Sequence, residues 1–177
     1  DPHLHLIVGG TYMSAPYVGY YPMPKPGGGY TQPVKDKAEA IARMRAASDA
    51  LADPNEELLV YGWDEAFQGE LTKDDLDQVS TTRPVVVMGY SWHLLYTNSA
   101  MLEKRRVTRE TETYGVRKDA DGEPTGVFQE TVAGARFEYD VIRACVREHD
   151  RDRGEIERGR ELLPVDLLLA AHGLGRK

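Results

Sequence analysis

Cysteine is nearly absent. Cys145 is the single one among 177 residues, so no disulfide can form within the chain. A lone thiol suits a reducing compartment, and the expected location is the cytoplasm. Positive charge is also short: 22 Lys and Arg face 29 Asp and Glu, for a net charge of −7. Nucleic-acid binding normally needs a basic surface stripe, so no nucleic-acid partner is expected. No apolar run approaches the ~20 residues that span a bilayer, which leaves no expectation of a membrane partner. Internal repeats and low-complexity tracts are missing as well. The chain opens on Asp1 with neither a Met nor a signal peptide, and its apolar tail has no following element. A piece cut at both ends is the expectation.

What is present is an ordinary globular composition, 41% hydrophobic and 29% charged. Residues 4–8 read as the end of a buried strand. A loop from Gly9 to Pro33 follows, with Tyr17-Val18-Gly19-Tyr20-Tyr21 and Gly27-Gly28-Gly29 inside it. Ordered loops this long are uncommon and usually functional; tyrosines beside glycines suit a wall against a ligand or a neighbouring loop. A helix is expected over 34–52, with a stripe of Ala38, Ile41, Ala42, Met44, Arg45, Ser48 and Leu51, ended by Asp53-Pro54. Glu57 to Tyr61 reads as a strand. Thr72 reads as the N-cap of a short helix, with Asp75 at its third position and Leu76 and Val79 facing the core. Val85 to Met88 reads as a strand buried on both faces. Asn98 to Lys104 suggests a short helix, Lys118 to Pro124 a tight polar turn, and Gly126-Val127-Phe128 the strand after it. Helices are expected from Glu130 to about His149 and from Leu162 to His172, with a solvated charged face at 147–160. Alternating strands and helices favour an α/β fold.

The strongest chemical feature is Asp1-Pro2-His3-Leu4-His5. In a strand, residues i and i+2 share a face, so His3 and His5 would project side by side. Paired neutral imidazoles suit zinc and related divalent metals. A bare His-X-His also arises by chance. This one ends an apolar strand and enters a Gly-rich loop, where barrel enzymes keep their ligands.

The segment resembles the first-strand signature of the amidohydrolase superfamily, and later segments narrow the resemblance to amidohydrolase family 3, which contains N-substituted formamide deformylase-like (YtcJ-like) proteins. Gly62-Trp63-Asp64-Glu65 is similar to that branch's Gly-Trp-Asp-Glu. Leu71 to Ser80, then Arg83-Pro84-Val85, resembles its Leu-Thr-x-x-Asp-Leu-Asp stretch and the Arg-Pro-Val after it. His93 with Asn98-Ser99-Ala100-Met101-Leu102 resembles its His and Asn-Ser-Ala-x-Leu segment. Asp119 to Val127, with Glu130, resembles its Asp-Ala-Asp-Gly-Glu-Pro-Thr-Gly-Val stretch and following Glu. The similarity covers roughly residues 1–135, in the family's order. It departs at Ser91-Trp92, where the family often has Asp-Gly, a difference expected of a sub-branch with another substrate.

The resemblance implies an α/β piece of a metal-dependent hydrolase TIM-type barrel. Residues 1–10 would be the first barrel strand with its metal motif, 11–135 an insertion over the barrel mouth and 136–177 a truncated helical tail. The implied reaction is hydrolysis of a carbon–nitrogen bond other than a peptide bond, in an amide, formamide or cyclic amide. A divalent metal, zinc by preference and one or two ions in the full-length parent, would lower the pKa of a bound water towards ~7. His3, His5 and Glu130 are the implied metal ligands, with Glu130 alternatively a helix N-terminal carboxylate. His93 is read as catalytic, bonding substrate or a tetrahedral intermediate, or else as structural. Trp63 and Asp64 either line a substrate pocket or serve as core and cap; Asn98 either touches substrate or caps its helix. His149 reads as solvated, His172 as a helix C-terminal charge and Cys145 as an inert core thiol. The expected partner is a small-molecule substrate, and the full-length parent could form a homo-oligomer. Further ligands and a late Asp would lie outside these 177 residues, so the chain alone is expected to be inactive. The alternatives are a non-catalytic truncated product, or a metal-independent binding module built on the tyrosine-rich loop.

Overall fold

A computed structural model describes residues 15–25 and 27–129. The motif residues His3 and His5, Glu130, and the expected tail helices with Cys145, His149 and His172 lie outside the described residues. Helix α1 is Lys37–Ala50. It begins later than the hydrophobic pattern suggested because Asp36 is the cap, its side chain accepting from the Glu39 amide at 2.8 Å. Val34, on the approach to it, is a fully buried core residue. The buried stripe runs through Ala40, Ile41, Met44 and Ser48, with Ala47 and Leu51 packed beside it. Ala38, Ala42 and Arg45 face solvent, which corrects the expected stripe.

Strand β1, Leu58–Trp63, is followed by two short helices, α2 (Glu65–Gln68) and α3 (Lys73–Asp77). Helix α3 carries the expected capping box: Thr72 caps the Asp75 amide and the Asp75 carboxylate returns to the Thr72 amide. Strands β2 (Val85–Gly89) and β3 (Leu94–Thr97) form a hairpin, and helix α4 (Ser99–Arg105) follows. Strands β4 (Val116–Lys118) and β5 (Pro124–Gln129) are joined by the polar turn, where Asp119 Oδ1 accepts from the amides of Asp121 and Glu123.

The strands make one sheet in the order β1-β2-β3-β5-β4. The β1–β2 pair is parallel, with Val60 opposite Val87, and the remaining pairs are antiparallel. Residues 16–18 lie along the free side of β1: the Val18 amide donates to Tyr61 O at 3.0 Å and the Tyr61 amide to Pro16 O at 3.1 Å. Alternation along β2 sends Val85 and Val87 to one face and Val86 and Met88 to the other. The first face packs on α1 and α3 residues such as Met44 and Leu76; the second packs on Met101 and Leu102 of α4. With both faces covered, β2 is apolar throughout, as a strand in this position must be. The α/β expectation therefore holds for the described residues. No helix among them is long and apolar enough to cross a membrane.

Candidate functional site

The carboxyl ends of β1 and β2 meet at one end of the sheet, the end where open α/β sheets place ligands. The Tyr90 amide donates to Trp63 O at 2.7 Å and closes the two strand ends together. Each residue of Gly62-Trp63-Asp64-Glu65 has a defined task there. Gly62 has φ 106°, and a Cβ on it would collide with the ring of Tyr17. Trp63 is buried in the core, and its Nε1 donates to Gly69 O at 3.0 Å. Asp64 caps α2, its Oδ1 accepting from the Ala66 amide at 3.2 Å. Glu65 Oε2 accepts from the Tyr96 hydroxyl at 2.9 Å, and Arg117 Nη1 stands 3.3 Å from Glu65 Oε1. Burial, then the Glu65 charge and hydrogen bond, push the Tyr96 phenol well above its ordinary range.

Gln68 ties the long loop to this end. Its Nε2 donates to Val18 O and Val34 O, both at 2.9 Å, and its Oε1 accepts from the Asp64 amide at 2.8 Å. Between the two pinned points the loop brings up Tyr20 and Tyr21. Seven rings then form a continuous group. Tyr17 is 5.1 Å from Tyr61, and Tyr61 is 6.0 Å from Trp92. Tyr20 stacks on Phe67 at 5.1 Å, and Tyr21 contacts Tyr20, Phe67 and Tyr90 at 5.1, 5.5 and 5.8 Å. The Tyr17 hydroxyl donates to Tyr21 O at 2.6 Å and joins the two halves. Burial is the first cause that raises the phenols of Tyr17, Tyr21 and Tyr61; Tyr90 adds to all three, and the Asp64 carboxylate to Tyr17 and Tyr21. These phenols stay neutral at physiological pH.

The expected site residues fall in two places. Trp63, Asp64 and His93 stand at this end, His93 being exposed in the β2–β3 turn with its amide donating to Ser91 Oγ at 3.3 Å. Asn98 stands at the other end of the hairpin, roughly 15 Å along the strand from His93. It is fully buried: Oδ1 accepts from the amides of Val85 and Met101, and Nδ2 donates to Ser80 O and Arg83 O. Its amide is thereby saturated, and it is the N-cap of α4. The expected ligands His3, His5 and Glu130 are outside the described residues; among the described ones, no group of three or more His, Cys, Asp or Glu could hold a metal ion. The imidazole and carboxylate donors of the expected set are of the kind divalent zinc takes.

Sequence reasoning passed over Gln68, Tyr90 and Phe67, which carry no motif of their own. Trp92 did leave a signal. It has φ 65°, the left-handed region that suits glycine, and it occupies the place where the resembling family has Gly.

The family model of the Amidohydrolase family matches residues 1–160. The protein YtcJ of Bacillus subtilis (strain 168), named as an amidohydrolase, is 38% identical over 80 residues, covering 42% of this chain and 15% of YtcJ. An uncharacterized metal-dependent hydrolase from Pyrococcus furiosus matches structurally with a TM-score of 0.50 and 20% identity, over 97% of this chain and 34% of its own. Another, from Pyrococcus horikoshii OT3, gives a TM-score of 0.47 and 20% identity, over 82% and 23%. The chain thus spans a minor part of each of these proteins.

Proposed function

The chain belongs to the amidohydrolase family, and from that premise we propose that it is part of a metal-dependent hydrolase of carbon–nitrogen bonds other than peptide bonds, in amides, formamides or cyclic amides. The observation that carries this reading is the family match over residues 1–160, which includes the His3-Leu4-His5 pair. In this proposal residues 1–10 are the first strand of a TIM-type barrel, 11–135 an insertion over its mouth and 136–177 a helical tail. His3, His5 and Glu130 would hold the divalent metal, zinc by preference. The metal's chemistry is to lower the pKa of a bound water and polarise the scissile carbonyl. His93, exposed in the β2–β3 turn, would bond the substrate oxygen, and half-buried Asp64 would line the wall beside it, with Trp63 backing that wall from the core. The lone Cys145 favours a cytoplasmic setting.

His3 and His5 alone fall at least one ligand short of the three that catalytic zinc sites draw from protein; Glu130 would complete the count, but no evident general base accompanies them. The 177-residue chain alone is therefore expected to bind zinc weakly and to turn nothing over. Zinc uptake by dialysis and metal analysis, on the chain and on a His3→Ala, His5→Ala double variant, tests the ligand assignment; equal uptake by both would remove it. Turnover of simple formamides or cyclic amides by the chain with added zinc, lost in the double variant, would show that a complete site is present.

A further inference from the structure

We propose that the cleft between the glycine-rich hairpin of the long loop and helix α1 binds a small organic monocarboxylate, with Lys25 and Arg43 as its anion-holding groups. The cleft measures about 610 Å³. Small-molecule sites span roughly 300–1,000 Å³, so it has room for an organic body as well as a charged head. Ala15, Pro16 and Tyr17 give it apolar lining, and Lys25 and Arg43 give it positive charge. The hairpin that carries Lys25 is pinned by the Pro24–Tyr30 bridge and turns back through Gly27, Gly28 and Gly29, all at positive φ. The Lys25 amide donates to Gly29 O and its carbonyl accepts from the Gly28 amide, both at 3.0 Å, so the root of the side chain is fixed.

Lys25 differs from the other described lysines. Each of those has its ammonium on an acceptor: Lys35 on Tyr20 O, Lys37 on Asp75, Lys73 on Pro124 O, Lys104 on Glu57 and Lys118 on Arg109 O. Lys25 has no acceptor among the described residues, and it lines the cleft. Arg43 is held at the same cleft by its lining residues. Its Nη1 donates to Tyr17 O at 3.1 Å and to Gln32 O at 2.7 Å, and its Nη2 to Glu39 Oε1 at 2.9 Å. A guanidinium carries five N–H groups, so one on Nη2 and the one on Nε have no acceptor among the described residues. Two planar N–H donors with a nearby ammonium suit the oxygens of a carboxylate. The charges set its valence. Lys25 and Arg43 contribute two positive charges and Glu39 one negative, which leaves a single positive charge for the ligand. A monoanion balances it and a dianion overshoots. A cation is repelled, and a neutral apolar molecule gains nothing from either basic group.

This inference goes beyond the hydrolase reading and does not rest on it. The test is a nitrogen-15 NMR titration of the full chain, in EDTA, with benzoate, its neutral analogue benzyl alcohol, acetate and inorganic phosphate. Benzoate is expected to bind about tenfold more tightly than benzyl alcohol, the scale of a charge-assisted hydrogen bond. Acetate lacks the apolar body and phosphate carries the second charge, so both should bind more weakly than benzoate. The shifted amides should centre on residues 16–18, 25, 31–32 and 43. Lys25→Gln removes an ammonium that no described residue uses, so it should weaken benzoate with an unchanged melting temperature, and Lys25→Arg should restore it. Glu39→Gln frees the Arg43 guanidinium without touching its bonds to Tyr17 O and Gln32 O, and should tighten benzoate above the unaltered chain. Equal affinity for benzoate and benzyl alcohol, tighter binding of acetate or phosphate, shifts centred elsewhere, no binding at all, or any other order of the variants would overturn the proposal. None of these outcomes depends on zinc or on turnover, so the hydrolase reading stands or falls separately.

Discussion

Replacing Gln68 with alanine should detach the tyrosine-bearing loop from the sheet. Three hydrogen bonds are lost together: two from Nε2 to Val18 O and Val34 O at 2.9 Å, and one from the Asp64 amide to Oε1 at 2.8 Å. Each neutral bond contributes about 1 kcal/mol net, and a buried partner left without a bond costs at least that much. Val18 and Val34 are both fully buried, so water does not readily replace the lost donor. The expected destabilisation is about 3 kcal/mol. Urea unfolding followed by far-UV circular dichroism would read it as a lower midpoint at unchanged slope. Hydrogen exchange should rise across residues 15–34 and at the Asp64 amide while β2 stays protected. Gln68→Glu should be worse at neutral pH, because a carboxylate would then face two carbonyl oxygens. A loss below about 1 kcal/mol, or unchanged exchange in the loop, would refute the view that Gln68 holds it.

Two further outcomes follow from the same bonds and backbone. At Asp75, burial raises the pKa, but the bonds from Lys37 and Thr72 outweigh it and hold the carboxyl below its ordinary value. A lowered folded pKa means that the stabilisation is present above the ordinary Asp range and is lost as pH falls through the folded value. Asp75→Asn should therefore cost about 1 kcal/mol at neutral pH, narrowing on acidification; a gap that widens in acid would contradict the assignment. Trp92 holds a left-handed φ of 65°, so Trp92→Gly should be more stable than Trp92→Ala by about 1 kcal/mol, which paired thermal melts would measure.

Local chemistry was readable in the sequence wherever a residue acts on its near neighbours. Thr72 and Asp75 cap a helix within three residues, Asn98 caps the next, and Asp119 organises a turn five residues long. The all-apolar Val85–Met88 run announced a strand covered on both faces, and it is one. The reading failed where partners come from afar. Strand β3, four residues of Leu-Leu-Tyr-Thr, is too short to show a period, and its pairing with β2 and β5 makes it a strand. Helix α2 is a single turn fixed by the Asp64 cap and by Gln68 reaching back 50 residues to Val18. The stripe of α1 was displaced because Ala38 and Ala42 are apolar by type and solvent-facing by position.

The same distinction explains why the family motifs point to function only indirectly. Gly62 makes room for Tyr17, Trp63 fills the core, Asp64 starts a helix and Glu65 anchors Tyr96 and Arg117. Arg83, of the Arg-Pro segment, is buried and donates from its guanidinium to Ser48 Oγ and to the carbonyls of Leu51, Asp53 and Glu56. Asn98 binds β2, α4 and the 80–83 segment together. A buried polar residue with four such bonds tolerates little change, because each partner left behind must pay its own desolvation. Motifs of this kind identify the family through its scaffold. The rings of Tyr21, Phe67, Tyr90 and Trp92, at the strand ends, take no part in these scaffold bonds. Altering one of these rings leaves the buried bonds of the scaffold in place.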